Sequence, residues 1–446
     1  MLGRLVPLAI VGTLAGAILA PLSAQRASTP QRSFHFTCGR RIGTAIPISP
    51  GMSYSPALGF GFRMPIAAAG GTACASDQPF LFDVALPEGN YDVSVTLGDA
   101  SRASVTTVKA ESRRLMLEQV PTRAGEFVTR HFTVSVRTPY FGPSAPVPMA
   151  GGDSVRRKAR EYGTNTWDDR LTLEFTGTHP SVRDIAISAA RNPITVFLAG
   201  NSTVVDQTVE PWAAWGQMIP RFFKPGGVVV ANHAESGETL KAFVGERRLA
   251  KLLSTMKRGD YLFVEFAHND QKAGPMYVEP FTTYKEYLLK FANEARARGA
   301  TPVFVTSMLR RSFDSTGHII NTLGDYPAAM RQLAAEEHIA LIDLNAMSRR
   351  FYEALGPEKS KKAFVHYSAG TYPDQVAELK DDTHFNNYGA YEMARMVVQG
   401  LKDSGLPLAR TLVDGVPAFD PTHPDAVETF VLPPSLVAPI VKPAGS

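Results

Sequence analysis

Between Phe34 and Ser188 apolar and polar positions alternate along the chain, most clearly at 91–97 (Tyr-Asp-Val-Ser-Val-Thr-Leu), 131–136 and 170–175. Gly, Pro and Asp punctuate the intervals. A period of two puts every second side chain on one buried face, and short strands at this density predict an antiparallel β-sandwich of jelly-roll type. Residues 140–163, rich in Pro, Gly and Ser, read as a long loop within it. Beyond Arg191-Asn192-Pro193 the period changes. Continuous apolar runs at 194–199, 228–231, 261–267, 302–306 and 340–344 read as buried parallel strands. Between and after them, 240–256, 284–298, 326–338 and 388–401 carry helical spacing. Five β-α units predict a three-layer, doubly wound parallel sheet of α/β, flavodoxin-like class. The pattern thus divides the chain into a β-sandwich over 33–190, an α/β domain over 194–406 and a Pro-rich tail over 407–446, extended or disordered.

At the start, Arg4 precedes an apolar stretch at 5–20 and then Pro21-Leu22-Ser23-Ala24. This is the pattern of a signal peptide over 1–24, too short for a membrane helix, with a retained anchor as the alternative. It predicts an exported chain, periplasmic or extracellular, with no membrane span after cleavage. An oxidising compartment makes a Cys38–Cys74 disulfide plausible, although sequence alone does not bring the two together. With 446 residues, 44% hydrophobic and 20% charged, the chain has a globular composition. Its net charge of +4 is scattered, which argues against a nucleic-acid partner. The sequence lacks CxxC, HExxH and His-rich tracts, so no metal site and no cofactor are expected.

In an open α/β sheet the ligand crevice lies beyond the carboxyl ends of the strands. The segments there are unusually polar: Gly200-Asn201-Ser202-Thr203, His233-Ala234-Glu235-Ser236-Gly237 and His268-Asn269-Asp270, with Asp381-Asp382-Thr383-His384 before the last helix. Acyl transfer by a serine needs a hydroxyl, an imidazole base, a carboxylate to orient it, and donors for the developing oxyanion. Ser202, His384 and Asp381 supply the first three. The backbone N–H groups of Ser202 and Gly237 and the amide of Asn269 supply the donors. Singly, each is more often a turn residue or a helix cap; their order and strand-end placement carry the reading.

These blocks, read as Leu198-Ala199-Gly200-Asn201-Ser202-Thr203-Val204-Val205-Asp206-Gln207, Asn232 through Gly237, Phe266-Ala267-His268-Asn269-Asp270 and Asp381 through His384, resemble the GDSL/SGNH hydrolase superfamily. Within it they are similar to the rhamnogalacturonan acetylesterase group of carbohydrate esterases. The resemblance places the four letters of the superfamily name on Ser202, Gly237, Asn269 and His384. It implies a metal-free serine esterase acting on acetyl groups of pectic polysaccharide. Two positions depart from the family pattern: Asn201 stands where Asp is usual, keeping an acceptor but not the charge, and Ala267 stands where Gly is usual.

A literal Gly152-Asp153-Ser154 occurs upstream, but no apolar strand precedes it and Arg156-Arg157-Lys158 follow. There is no G-x-S-x-G elbow. Trp212 and Trp215 read as packing before sugar stacking, and Arg310-Arg311 equally as a galacturonate contact or a solvated pair. Asp206 reads as stabilising the loop after Ser202, Asp270 as a hydrogen-bonding partner behind the reacting groups, and His233 and His268 as structural. Asp382, two residues before His384, is expected to face solvent or a backbone donor at the helix start. Together these features predict an exported carbohydrate O-acetylesterase with an acetylated polysaccharide or oligosaccharide as substrate. Its rivals are an esterase or lysophospholipase on longer acyl chains and a non-catalytic glycan-binding protein. The β region reads equally as a carbohydrate-binding module or a structural clamp.

Overall fold

In strand Gly89–Leu97 the side chains of Tyr91, Val93, Val95 and Leu97 all point into the core, as the period of two requires. Its antiparallel neighbour Val128–Val136 sets Val134 opposite Tyr91 and Phe132 opposite Val93, adding to the same apolar layer. Their sheet runs, in spatial order, Ile46–Ile48, Ser33–Cys38, Ser181–Ala189, Gly89–Leu97, Val128–Val136, with Cys74–Ala75 paired to Ser181–Ala189. A second sheet runs Phe60–Phe62, Phe80–Ala85, Arg170–Thr178, Ser104–Ala110, Arg114–Thr122. The space between is filled by Phe36, Phe62, Phe82, Leu173 and Phe175 among others. Cys38 and Cys74 are joined by a disulfide, with Cα atoms 5.5 Å apart. This computed structural model describes residues 33–444 except 40, 42, 67–72, 143–151 and 437, and also 1 and 3. The expected signal peptide at 1–24 therefore lies outside the described residues, apart from those two isolated positions.

The five apolar runs form one parallel sheet in the order Val228–Asn232, Ile194–Gly200, Tyr261–Glu265, Thr301–Val305, Ala340–Ile342. They are nearly continuous in apolar residues because both faces are covered. Val196, Leu198, Phe263 and Val303 face a core shared with helices Trp215–Met218, Leu344–Lys359 and Asn387–Asp403. Phe197, Ala199, Leu262 and Phe304 face the opposite core, shared with Leu240–Gly245, Arg248–Leu253, Lys285–Arg296 and Tyr326–Glu336. Strand order reverses on either side of Ile194–Gly200, which opens a crevice beyond its carboxyl end.

Several elements differ from the sequence pattern. Residues 240–256 form two short helices, because Arg247 adopts φ 65° between them. Asp343 caps a helix, Leu344–Lys359, that the apolar runs concealed; its carboxylate accepts the N–H of Ala346. The residues around Asp381 are not a turn into the last helix but a strand, Leu379–Phe385, paired antiparallel with Phe364–Tyr367. Among the described residues the tail after 406 is packed, its extended chain interrupted by short 3₁₀ turns at Pro407–Thr411 and Val427–Thr429. Leu412 and Phe419 enter the α/β core, and Ser435 is buried against Lys109, Arg113 and Glu174. Arg32–Ser446 form one compact unit.

Candidate functional site

At the end of strand Ile194–Gly200 the chain turns sharply. A Cβ on Gly200 would lie 2.5 Å from the side chain of Val204, so only glycine fits. The carbonyl of Asn201 accepts the N–H groups of Val204 and Val205, both at 3.0 Å. Its side-chain Oδ1 accepts the N–H of Thr203 at 3.1 Å and the Thr203 hydroxyl at 2.8 Å. The acceptor function expected of Asn201 is therefore used in full, and the turn presents Ser202.

Ser202 Oγ lies 2.8 Å from His384 Nε2, and His384 Nδ1 lies 2.8 Å from Asp381 Oδ2. The other carboxylate oxygen accepts the N–H groups of Thr383 and His384, each at 3.0 Å. Burial opposes charge on Asp381, but the imidazole of His384 and the two N–H groups outweigh it and hold the carboxyl well below its usual range. An ionised Asp381 makes Nδ1 the donor and leaves Nε2 free to accept the serine proton. Ser202, His384 and Asp381 are 2%, 1% and 6% exposed, so these bonds lie in a largely water-free setting.

Gly237 occupies the turn after strand Val228–Asn232 with φ 78°, a conformation that disfavours any side chain. Asn269 Nδ2 donates to the carbonyl of Glu238 at 3.0 Å, which ties the Gly237 and Asn269 loops together. The N–H of Glu235 donates to the carbonyl of Gly200 at 3.2 Å and ties both to the strand that carries Ser202. Such an arrangement can pass the proton of a hydroxyl to an imidazole while neutral N–H donors stand in adjacent turns.

The supporting shell holds residues that sequence reasoning left as packing or missed. Trp212 and Trp215 are buried, yet each uses its indole N–H. Trp212 donates to Asp381 Oδ2 at 3.3 Å, and Trp215 to Glu265 Oε2 at 2.6 Å. Burial pushes the carboxyl of Glu265 up to about 7, against the bond from Trp215. Thr203 Oγ1 lies 2.8 Å from Asn201 Oδ1 and 2.9 Å from Glu265 Oε1. One hydroxyl proton serves only one of these acceptors; a protonated Glu265 supplies the other bond. Gln207 Nε2 donates to the carbonyl of Ser202 at 2.8 Å. No local signal marks these roles, since each depends on which strand end the residue meets.

Asp206 stabilises its loop as expected, accepting from Asn232 Nδ2 at 2.8 Å and from Arg114 Nε at 2.6 Å. Asp270 accepts the N–H of Leu240 at 2.8 Å, and burial pushes its carboxyl up to about 7. His268 Nε2 bonds the carbonyl of Met308, and His233 is buried beneath Trp167 and Phe197. Arg310 donates to the carbonyls of His268 and Thr322; Arg311 pairs with Asp382 at 2.7 Å, so neither is a purely solvated charge. Asp382 also meets His366 Nε2 at 2.8 Å and keeps about half of its side chain in solvent, so it faces solvent in part, as expected, but not the helix start. The helix start is capped instead by Asn386. Ser154 sits on a β-bridge to Tyr140. Among the described residues no group of three or more His, Cys, Asp or Glu could hold a metal.

Residues 198–390 match the GDSL-like lipase/acylhydrolase family. Rhamnogalacturonan acetylesterase RhgT of Bacillus subtilis (strain 168) is 45% identical over 225 residues, covering 50% of this chain and 96% of RhgT. The chain belongs to the GDSL-like lipase/acylhydrolase family. A second relative, the probable rhamnogalacturonan acetylesterase YesY of the same organism, is 39% identical over 223 residues, 49% of this chain and 97% of YesY. The crystal structure of protein YxiM from Bacillus subtilis is similar over 84% of this chain and 99% of YxiM, with 26% identity and a TM-score of 0.43. Among the described residues no helix is long and apolar enough to cross a membrane.

Proposed function

We propose that this member of the family is a carbohydrate O-acetylesterase that removes acetyl groups from a pectic polysaccharide, most closely rhamnogalacturonan, by a Ser-His-Asp acyl-enzyme mechanism. The observation that carries the reading is the continuous hydrogen-bonded chain from Ser202 through His384 to Asp381. The substrate class rests on the 45% identity to a rhamnogalacturonan acetylesterase. Ser202 Oγ attacks the acetyl carbonyl carbon while His384 Nε2 takes its proton. The carbonyl oxygen becomes an oxyanion, met by the N–H groups of Ser202 and Gly237 and the amide of Asn269. His384 then returns the proton to the departing sugar oxygen, leaving an acetyl ester on Ser202. Water, deprotonated by the same imidazole, releases acetate and restores the serine. No step asks for a metal or cofactor.

The same reading takes the chain as exported after loss of 1–24, with a sandwich over 33–190 of jelly-roll type and an esterase domain over 194–406. The strand order of its parallel sheet supports a doubly wound, flavodoxin-like arrangement. Acetate release from acetylated rhamnogalacturonan, xylan and mannan tests the substrate: rhamnogalacturonan is expected to be fastest, and equal rates on all three would remove the pectic assignment. Ser202→Ala is expected to lower that rate by at least about 10³-fold, with Ser154→Ala near wild type. Equal losses in the two variants would overturn the choice of nucleophile.

A further inference from the structure

The turn Glu235-Ser236-Gly237-Glu238 is closed by a bond from the N–H of Glu238 to the carbonyl of Glu235, 3.3 Å, with Gly237 at φ 78° in the third position. This is the pattern of a type II turn, whose central peptide distinguishes it from type I by a flip of its plane. Here the central peptide joins Ser236 to Gly237. In a trans peptide the C=O and N–H point in opposite directions. Whatever holds the carbonyl of Ser236 therefore aims the N–H of Gly237.

Two cations from the β-rich region hold that carbonyl. Lys158 Nζ donates to it at 3.2 Å, and Arg160 donates through Nη2. Each is anchored on a carboxylate of the same turn, Arg160 Nε on Glu235 Oε1 at 2.8 Å and Lys158 on Glu238. Their segment is itself fixed. Glu161 accepts the N–H of Lys158 at 2.7 Å and the indole N–H of Trp167 at 2.7 Å, and it pairs with buried Arg248 of the α/β region. Two charged donors on a carbonyl also draw electron density through the amide and strengthen its N–H as a donor.

We propose that Lys158 and Arg160 are positioning residues for the oxyanion: by gripping the carbonyl of Ser236 they fix and polarise the Ser236–Gly237 peptide whose N–H meets the transition state. The inference rests on the oxyanion role given to Gly237 above. It assigns to the β-rich region a part in the chemistry of a site whose reacting groups all lie in the α/β region. The effect belongs to the transition state, because only there does full negative charge face the N–H.

The test uses the full chain with Arg160→Gln, Lys158→Gln and the double variant, with Arg156→Ala as an exposed control from the same segment. On a chromogenic acetate ester the double variant is expected to lose about 10- to 100-fold in kcat, with KM within about twofold of wild type. Arg160→Lys, which keeps a cation in reach, should recover part of that loss, and Arg156→Ala should show none. The specific readout is a trifluoromethyl ketone, to which Ser202 adds to give a tetrahedral oxyanion: its inhibition constant should rise by the same factor as kcat falls. Unchanged kcat in folded variants would overturn the proposal, as would a kcat loss with unchanged affinity for the ketone. If the double variant does not fold, Arg160→Gln alone decides, since Arg160 is about one-third exposed. Failure of the underlying reading is seen separately, as retained activity in Ser202→Ala.

Discussion

Asp381 and Asp382 are neighbours in one strand and consequently face different surroundings. Asp381 turns inward to His384, while Asp382 meets Arg311 and His366 and stays 46% exposed. Asp381→Asn is expected to cost roughly 10⁴-fold in turnover, by loss of the tautomer that leaves Nε2 free. Asp382→Asn removes a half-exposed pair and should cost under about 1 kcal/mol of stability, with turnover little changed; steady-state kinetics and thermal melts on both variants check this. The depressed carboxyl of Asp381 contributes stability that is present above the ordinary carboxylate range and is lost as pH falls through its folded value. Glu265 has the opposite sign. Its carboxyl is raised from 4.5 to about 7, so the folded state keeps a proton that the unfolded chain has released, and stability falls as pH rises between those values. Glu265→Gln keeps an uncharged acceptor there. Relative to wild type it should gain, between pH 4 and pH 8, an increment on the order of 3 kcal/mol, read from denaturant melts at the two pH values. A difference independent of pH would show that Glu265 does not titrate in this range.

At the scale of the element, the turn between strands Ser104–Ala110 and Arg114–Thr122 reaches from the β-rich region into the loop after Ser202. Arg113 Nη1 donates to the carbonyls of Gln207 and Trp212 at 3.2 and 2.9 Å, and Arg114 pairs with fully buried Asp206. Arg114→Met would leave Asp206, among the described residues, with the hydrogen bond from Asn232 and no charged donor, and should destabilise by about 3–5 kcal/mol. Adding Asp206→Asn removes the stranded charge and should restore part of that, a coupling readable in a double-mutant cycle of unfolding free energies. No such partnership is visible in the sequence, where Arg114 and Asp206 are 92 positions apart. What was legible has a physical reason. The strand alternation of 91–97 and the apolar runs at 194 and 228 report burial directly, and the blocks around Ser202, Gly237, Asn269 and His384 are local. The strand carrying Asp381 was hidden because two of the three positions on its buried alternating face, Asp381 and Thr383, are polar and only the last, Phe385, is apolar, so the alternation is present without most of its usual hydrophobic mark. The helix Leu344–Lys359 was hidden because its first residue extends the apolar run of the strand before it.

Over the whole molecule, buried charged and polar pairs join the β-rich region, the α/β region and the tail, most of the cations coming from the β-rich region. Besides Arg114 on Asp206 and the two cations on Ser236, Arg113 pairs with Glu210 at 3.2 Å, and Lys251 of the α/β region pairs with Glu88 at 2.6 Å. The tail laces the same boundary: Lys109 Nζ donates to the carbonyl of Pro433 at 3.0 Å and to Ser435 Oγ at 2.7 Å. Burial holds the Lys109 ammonium below its usual range, with the nearby charge of Glu174 opposing that shift. Two relatives match over about half of this chain while covering nearly all of their own length, so an acetylesterase of this family need not carry the remainder. In this chain, however, separating residues 194–446 would remove the cations from Asp206 and Glu210, leaving Asn232 on the first and Asn387 and the N–H of Ser435 on the second, and would leave the carbonyl of Ser236 without its cations. A buried carboxylate that loses its cation costs several kcal/mol, against a total stability of only about 5–15 kcal/mol for a domain. The excised segment is therefore expected to be aggregated or molten by size-exclusion chromatography and near-UV circular dichroism, and inactive on acetate esters. Co-expression with a separate chain spanning 33–190 should recover both the compact species and the activity, because the missing donors return with it. A folded 194–446 fragment with wild-type turnover would mean that the α/β region has its own means of satisfying these groups, and that the boundary contacts are dispensable.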